Sequence, residues 1–136
     1  MYLNCHSYFS FKYGTLSVEK LLAEAQQKNI SRLALTDINN TSGVLDFVRL
    51  ASRYGVTPAV GIDFRNGVQQ QFIGIARNNN GFLELNDFLS PHLHAEKKTE
   101  KEIAPRAPQF DHAYVIYPFG NIPDRKSTRL NSSHRT

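Results

Sequence analysis

Three side chains, His6, Asp37 and Asp63, are of the types that hold metal ions, and each falls at or just after the end of a short apolar run. An imidazole nitrogen and two carboxylates suit zinc or manganese, and a metal held in this way polarises phosphoryl oxygens and activates water. The same residues have plain structural uses. Asp37 can bond loop amides ahead of a helix, and Asp63 can lead into a hairpin; spacing alone leaves both readings open. His92 and His94 repeat a His-x-His spacing inside the weakly patterned SPHLHAEK, which predicts surface residues. His112, between Asp111 and Ala113, reads as a solvated residue ahead of a strand. Lys97, Lys98 and Lys101 alternate with Glu96, Glu100 and Glu102, the pattern of a solvated face. The single cysteine, Cys5, cannot build an internal disulfide and reads as a small buried side chain in a reducing compartment.

These side chains need strands to aim them. Residues 2–5 read as an opening strand that ends at His6, followed by a loop through Gly14. Val18, Leu21, Leu22 and Ala25 recur at helical spacing behind Ser17, a suitable N-cap, and predict an amphipathic helix ending near Asn29. Arg32 to Thr36 suits a buried parallel strand. Val44, Phe47, Val48 and Ala51 share one face of a second helix, over about 43–54, with Gly55 as its left-handed stop. Thr57 to Phe64 is a third strand, Asn66-Gly67 a hairpin turn in which both residues tolerate positive φ, and 68–77 the antiparallel return. A turn over 78–81, a short helix over Phe82 to Leu89, a charged surface loop beyond Ser90-Pro91 and a last strand over 113–117 complete the pattern. Two consecutive strand–helix units point to an α/β fold: a mainly parallel sheet or barrel with helices outside and functional loops at the strands' carboxyl ends. The chain is too short to close a full barrel.

At 136 residues, 40% hydrophobic and 21% charged, the composition is that of one globular domain with a packed core. No apolar run reaches the ~20 residues that cross a bilayer, and the N-terminus lacks a basic segment ahead of an apolar one. The expected address is the cytoplasm. The net charge of +4 does not argue for nucleic-acid binding, because residues 124–136 carry +3 of it and residues 1–123 only +1. None of the six tyrosines and nine phenylalanines lies in a basic, aromatic-interleaved strand of the kind that stacks bases. Asp124 to His134 matches, over eleven residues, the translation of a common sequencing-library adapter. This predicts a truncated domain over 1–123, a non-native tail over 124–136, and a native frame that continues past Pro123.

The run HSYFSFKYGTLSVEKLLAEAQQKNISRLALTD, followed by GVLDFVRLASRYGVTPAVGIDF, resembles the polymerase and histidinol phosphatase (PHP) domain that opens the alpha subunit of bacterial DNA polymerase III. FIGIARNNNGFLEL at 72–85 extends the resemblance, which covers about residues 1–90. It implies an incomplete PHP-type (β/α) barrel. It also implies what a complete metal site needs. Active members open with His-x-His, where this chain has Asn4-Cys5-His6; their second motif is Thr-Asp-His, where it has Thr36-Asp37-Ile38. The third ligand, commonly a glutamate after a glycine, corresponds to Asp63. Asn4 and Ile38 are thus degraded ligand positions and His6, Asp37 and Asp63 remnant ones. The resemblance implies a structural domain without catalytic residues and without bound Zn2+ or Mn2+, within a DNA-directed DNA polymerase that uses Mg2+. Its implied partners are the rest of the polymerase chain and, through it, DNA, the sliding clamp and a proofreading subunit, with no membrane. The rival reading is a stand-alone PHP phosphoesterase similar to histidinol phosphatase, which would keep its histidine ligands.

Overall fold

The computed structural model describes residues 2–7, 16–96 and 102–118. The loop expected through Gly14, the Lys97, Lys98 and Lys101 face and the tail over 124–136 lie outside the described residues. The chain is a mixed α/β fold that divides into two units, 1–62 and 63–136.

The first unit opens with strand β1 (Tyr2–Cys5) and helix α1 (Val18–Gln27). Ser17 caps α1, its hydroxyl accepting from the Lys20 amide at 3.2 Å. The helix ends as Asn29 turns to φ 59°, a conformation that asparagine tolerates. Strand β2 (Arg32–Ile38) lies between β1 and strand β3 (Thr57–Asn66) and runs parallel to β1, with Tyr2 opposite Leu33 and Cys5 opposite Leu35. The Thr57 amide donates to the Ser31 carbonyl at 2.7 Å, so β2 and β3 begin at the same end. Helix α2 (Val44–Ala51) continues as a 3-10 turn, Ser52–Tyr54, and stops at Gly55 with φ 68°, as its sequence position predicts. Val18, Leu22 and Ala25 of α1 and Phe47, Leu50 and Ala51 of α2 pack with Leu33, Leu35 and Val56 into one core. Leu22 and Phe47 are fully buried, worth about 1.5–3 kcal/mol each.

β2 runs two residues past the expected Thr36. It ends where Asn39 takes φ 49° and Asn40 starts an Asx turn, accepting from the Ser42 amide and donating to the Ile38 carbonyl. Asp37 and Ile38 are therefore the last two residues of the strand, at its carboxyl end.

In the second unit β3 leaves Asp63 and turns back as β4 (Gln69–Ala76), which lies between β3 and strand β5 (Ala113–Ile116). The turn differs from the expected Asn-Gly pair. Gly67 takes φ 61°, while Asn66 stays in the strand and exchanges two 2.7 Å hydrogen bonds with the backbone of Ile103. β4 and β5 are antiparallel, with Ile73 opposite Ile116 and Ala76 opposite Ala113. Helix α3 (Asn79–His94) packs on β4 and β5, and its Leu85 lies close over Gly74: a Cβ there would stand 2.5 Å from Leu85 Cδ2 and make that side chain shift. Phe64, Phe72 and Phe88 form an aromatic cluster with centroids 4.8–6.0 Å apart.

α3 is longer than expected at both ends. Asn78 acts as N-cap, its Oδ1 accepting from the Gly81 amide at 3.0 Å, so the expected turn over 78–81 is already helix. At the other end the helix runs through Pro91 to His94 where a loop was expected. Proline removes one helical donor. Being close to the helix end it leaves few bonds to disturb, and Leu85 and Leu89 bury the helix face ahead of it.

Candidate functional site

His6 follows β1 directly and is half-buried. Its neighbour Ser7 is fully buried and faces Asp37, which β2 holds at 2% exposure. The Ser7 amide donates to Asp37 Oδ1 and the Ser7 hydroxyl to Oδ2, both at 2.6 Å. Each carboxylate oxygen thus receives a short, charge-assisted hydrogen bond from one serine. Because β1 and β2 are parallel neighbours, this contact ties together the ends of both strands. Asn4 falls within β1, but its side chain lies outside the described residues. Ile38, next to Asp37, is half-buried and offers the site no donor atom beyond its backbone carbonyl, which accepts from Asn40.

Asp63 belongs to the second unit. It is the seventh residue of the ten in β3, so it lies within the strand and not at its carboxyl end as expected; the hairpin carries the strand on to Asn66. The side chain is fully buried. Arg65, two residues on and so on the same strand face, engages it two-pronged: Nη2 to Oδ2 at 3.0 Å and Nε to Oδ1 at 3.2 Å. Gln70 Nε2 donates to Oδ1 at 2.9 Å from across the hairpin. The guanidinium side chain is itself only 12% exposed, so the pair is largely shielded from water.

The other residues singled out by type have structural surroundings. Cys5 is half-buried and borders a pocket of about 130 Å³ that Leu21, Ala25, Ile30 and Leu33 also line, and burial pushes its thiol up from the ordinary range. His92 is not a surface-loop residue: it lies on α3, half-buried, its ring 5.0 Å from that of Phe88. His94 is exposed in the last turn of the same helix. His112 has its ring Nδ1 3.4 Å from Asn78 Nδ2. Its backbone is held on both sides, the amide donating to Glu84 Oε1 at 2.7 Å and the carbonyl accepting from the Arg77 amide at 2.8 Å.

Among the described residues no three His, Cys, Asp or Glu side chains gather around one point. Asp37 accepts from Ser7 through both oxygens, and Asp63 accepts from the Arg65 guanidinium through both. Ser7, Arg65 and Gln70 escaped the sequence reading. The period-two spacing of Asp63 and Arg65 was the one available signal; the Ser7 to Asp37 contact spans 30 residues and depends on strand register.

The sequence profile of the PHP domain matches residues 3–117. The chain is 34% identical over 83 residues, 61% of its length, to the DNA polymerase III subunit alpha of Ureaplasma parvum. It is 33% identical over 99 residues, 72% of its length, to the error-prone DNA polymerase of Symbiobacterium thermophilum, and 36% identical over 61 residues, 45% of its length, to the DNA polymerase III subunit alpha of Chlamydia muridarum. These stretches cover 8%, 9% and 5% of the respective relatives.

Proposed function

We propose that this chain, which belongs to the PHP domain family, is the N-terminal PHP domain of a DNA polymerase III alpha-type subunit and that the domain supports structure instead of hydrolysing phosphate esters. The observation that carries the second half is the Asp37 carboxylate, buried at 2% exposure with both oxygens accepting from Ser7 at 2.6 Å. A ligand shared between two metals must turn lone pairs towards the ions, and here the carboxylate serves as a strand-to-strand tie. In this reading His6, Asp37 and Asp63 are remnant ligand positions and Asn4 and Ile38 degraded ones. The domain has no catalytic residue and needs no Zn2+ or Mn2+.

The α/β order of the first unit supports a PHP-type barrel, incomplete over residues 1–123, and the adapter-like sequence of Asp124 to His134 supports residues 124–136 as a foreign tail. The parent would be a DNA-directed DNA polymerase of the cytoplasm, a nucleotidyltransferase working with Mg2+ at residues outside this sequence. Its partners in DNA replication would be DNA, the sliding clamp and a proofreading subunit. Among the described residues no helix is long and apolar enough to cross a membrane.

Elemental analysis and nuclease assays on the purified full chain test the reading. The expected result is substoichiometric zinc and manganese with no hydrolysis of phosphate esters. Stoichiometric metal together with hydrolysis that His6→Ala abolishes would favour the phosphoesterase. Sequencing the native locus across codons 120–140 tests the tail, and an unbroken frame encoding it refutes that part.

A further inference from the structure

We infer that Arg65 is the built-in counter-cation of Asp63, supplying by a covalently attached guanidinium the positive charge that a bound metal ion would otherwise provide. This rests on the reading of Asp63 as a remnant ligand position. Asp63 is the most deeply buried of the three candidate ligands, at 0% exposure. A carboxylate so placed must be protonated, coordinated or paired, since an isolated buried charge is strongly disfavoured. The structure supplies the pair. Arg65 stands two residues away on the same strand face and grips both oxygens at 3.0 and 3.2 Å. Gln70, brought alongside by the hairpin, adds a third donor at 2.9 Å.

The three donors enclose the carboxylate as ligated cations do, with a difference in dependence. A metal site is filled only when the ion is available and its ligands are deprotonated. A guanidinium is always charged and always present. The hairpin is therefore self-sufficient: its buried charge is neutral overall once the chain folds, and the fold of the second unit is indifferent to divalent cations. Arg65 acts here as a positioning residue that fixes Asp63, and Lys at this place would keep the charge but lose the two-pronged geometry.

Thermal melts of the full chain test this with four proteins, wild type, Arg65→Met, Asp63→Asn and the double variant, each in EDTA and in MnCl2. Wild type is expected to melt within about 1 °C in the two buffers, a small part of what a ligand binding only the folded chain would produce. Arg65→Met should lower Tm by about 10 °C, because it leaves a buried carboxylate without its counter-charge. The double variant should recover at least half of that loss, because neutralising Asp63 removes the need for the cation. If Arg65→Met fails to fold, folding of the double variant carries the same conclusion. Additive losses, failure of both to fold, or a wild-type Tm that rises in MnCl2 and falls in EDTA would overturn the inference. Additive losses in a metal-indifferent wild type leave the PHP reading standing, since they concern the pair alone, whereas Mn2+-dependent wild-type stability that Asp63→Asn abolishes strikes at both.

Discussion

Replacing Ser7 with alanine removes one hydroxyl from a site where water cannot take its place. Ser7 is fully buried, and Asp37, which accepts its hydroxyl at 2.6 Å, is 2% exposed. The amide of residue 7 still donates to Asp37 Oδ1, so the variant loses one charge-assisted bond and keeps the other. A hydrogen bond to a charged group contributes about 1.5–3 kcal/mol, and the expected loss for Ser7→Ala is about 2 kcal/mol. With a urea slope of about 1–3 kcal/mol/M for a small domain, the unfolding midpoint should fall by about 1 M. Asp37→Asn in the same background should lose less than the sum of the two single changes, because both disturb one contact. Equilibrium urea unfolding of the full chain, followed by far-UV circular dichroism, gives all four corners of the cycle. A Ser7→Ala protein within about 0.5 kcal/mol of wild type, the range of ordinary surface changes, would refute the strand-tie role of Asp37.

Phe64→Ala empties a fully buried position between Phe72 and Phe88 and should cost about 3–5 kcal/mol, read by the same unfolding assay with loss of near-UV aromatic signal. Gly81→Ala drives a Cβ into the backbone carbonyl of His112, which has no flexible end to move aside. About 1–3 kcal/mol of destabilisation is expected, and since that carbonyl accepts from the Arg77 amide, hydrogen exchange at Arg77 should accelerate selectively. For Cys5, burial raises the folded-state thiol, so the unfolded chain ionises first as pH rises. The stability linked to this group is complete below the unfolded pKa of about 8.5 and declines from there towards the folded value. Urea midpoints of wild type and Cys5→Ala should therefore converge between pH 8 and pH 10, and a constant gap would contradict a buried thiol.

What could be read without coordinates was whatever depends on neighbours along the chain. The apolar spacing of Val18, Leu22 and Ala25 is the buried face of α1, Ser17 is its cap, and Gly55 is the left-handed stop after α2. The hairpin between β3 and β4 was legible from its turn signal, although the partner of Asn66 proved to be Ile103, 37 residues away. The extension of α3 through Pro91 was not legible, because helix-breaking propensity near an end is outweighed by burial of Leu85 and Leu89. The residue types of the candidate site were legible too, as His6, Asp37 and Asp63, together with the substitutions Asn4 and Ile38.

Their surroundings were not. A two-residue period places Asp63 and Arg65 on one strand face, yet whether they touch depends on rotamers that packing selects. That Gln70 reaches the same carboxylate follows from the hairpin's register, and that Ser7 meets Asp37 follows from an irregular register between β1 and β2. By itself the sequence determined the elements, the family and the candidate ligands, because these are written in local periodicity and residue type. Only the tertiary structure decided where each carboxylate directs its charge, because strand register is set by contacts between residues far apart in the chain.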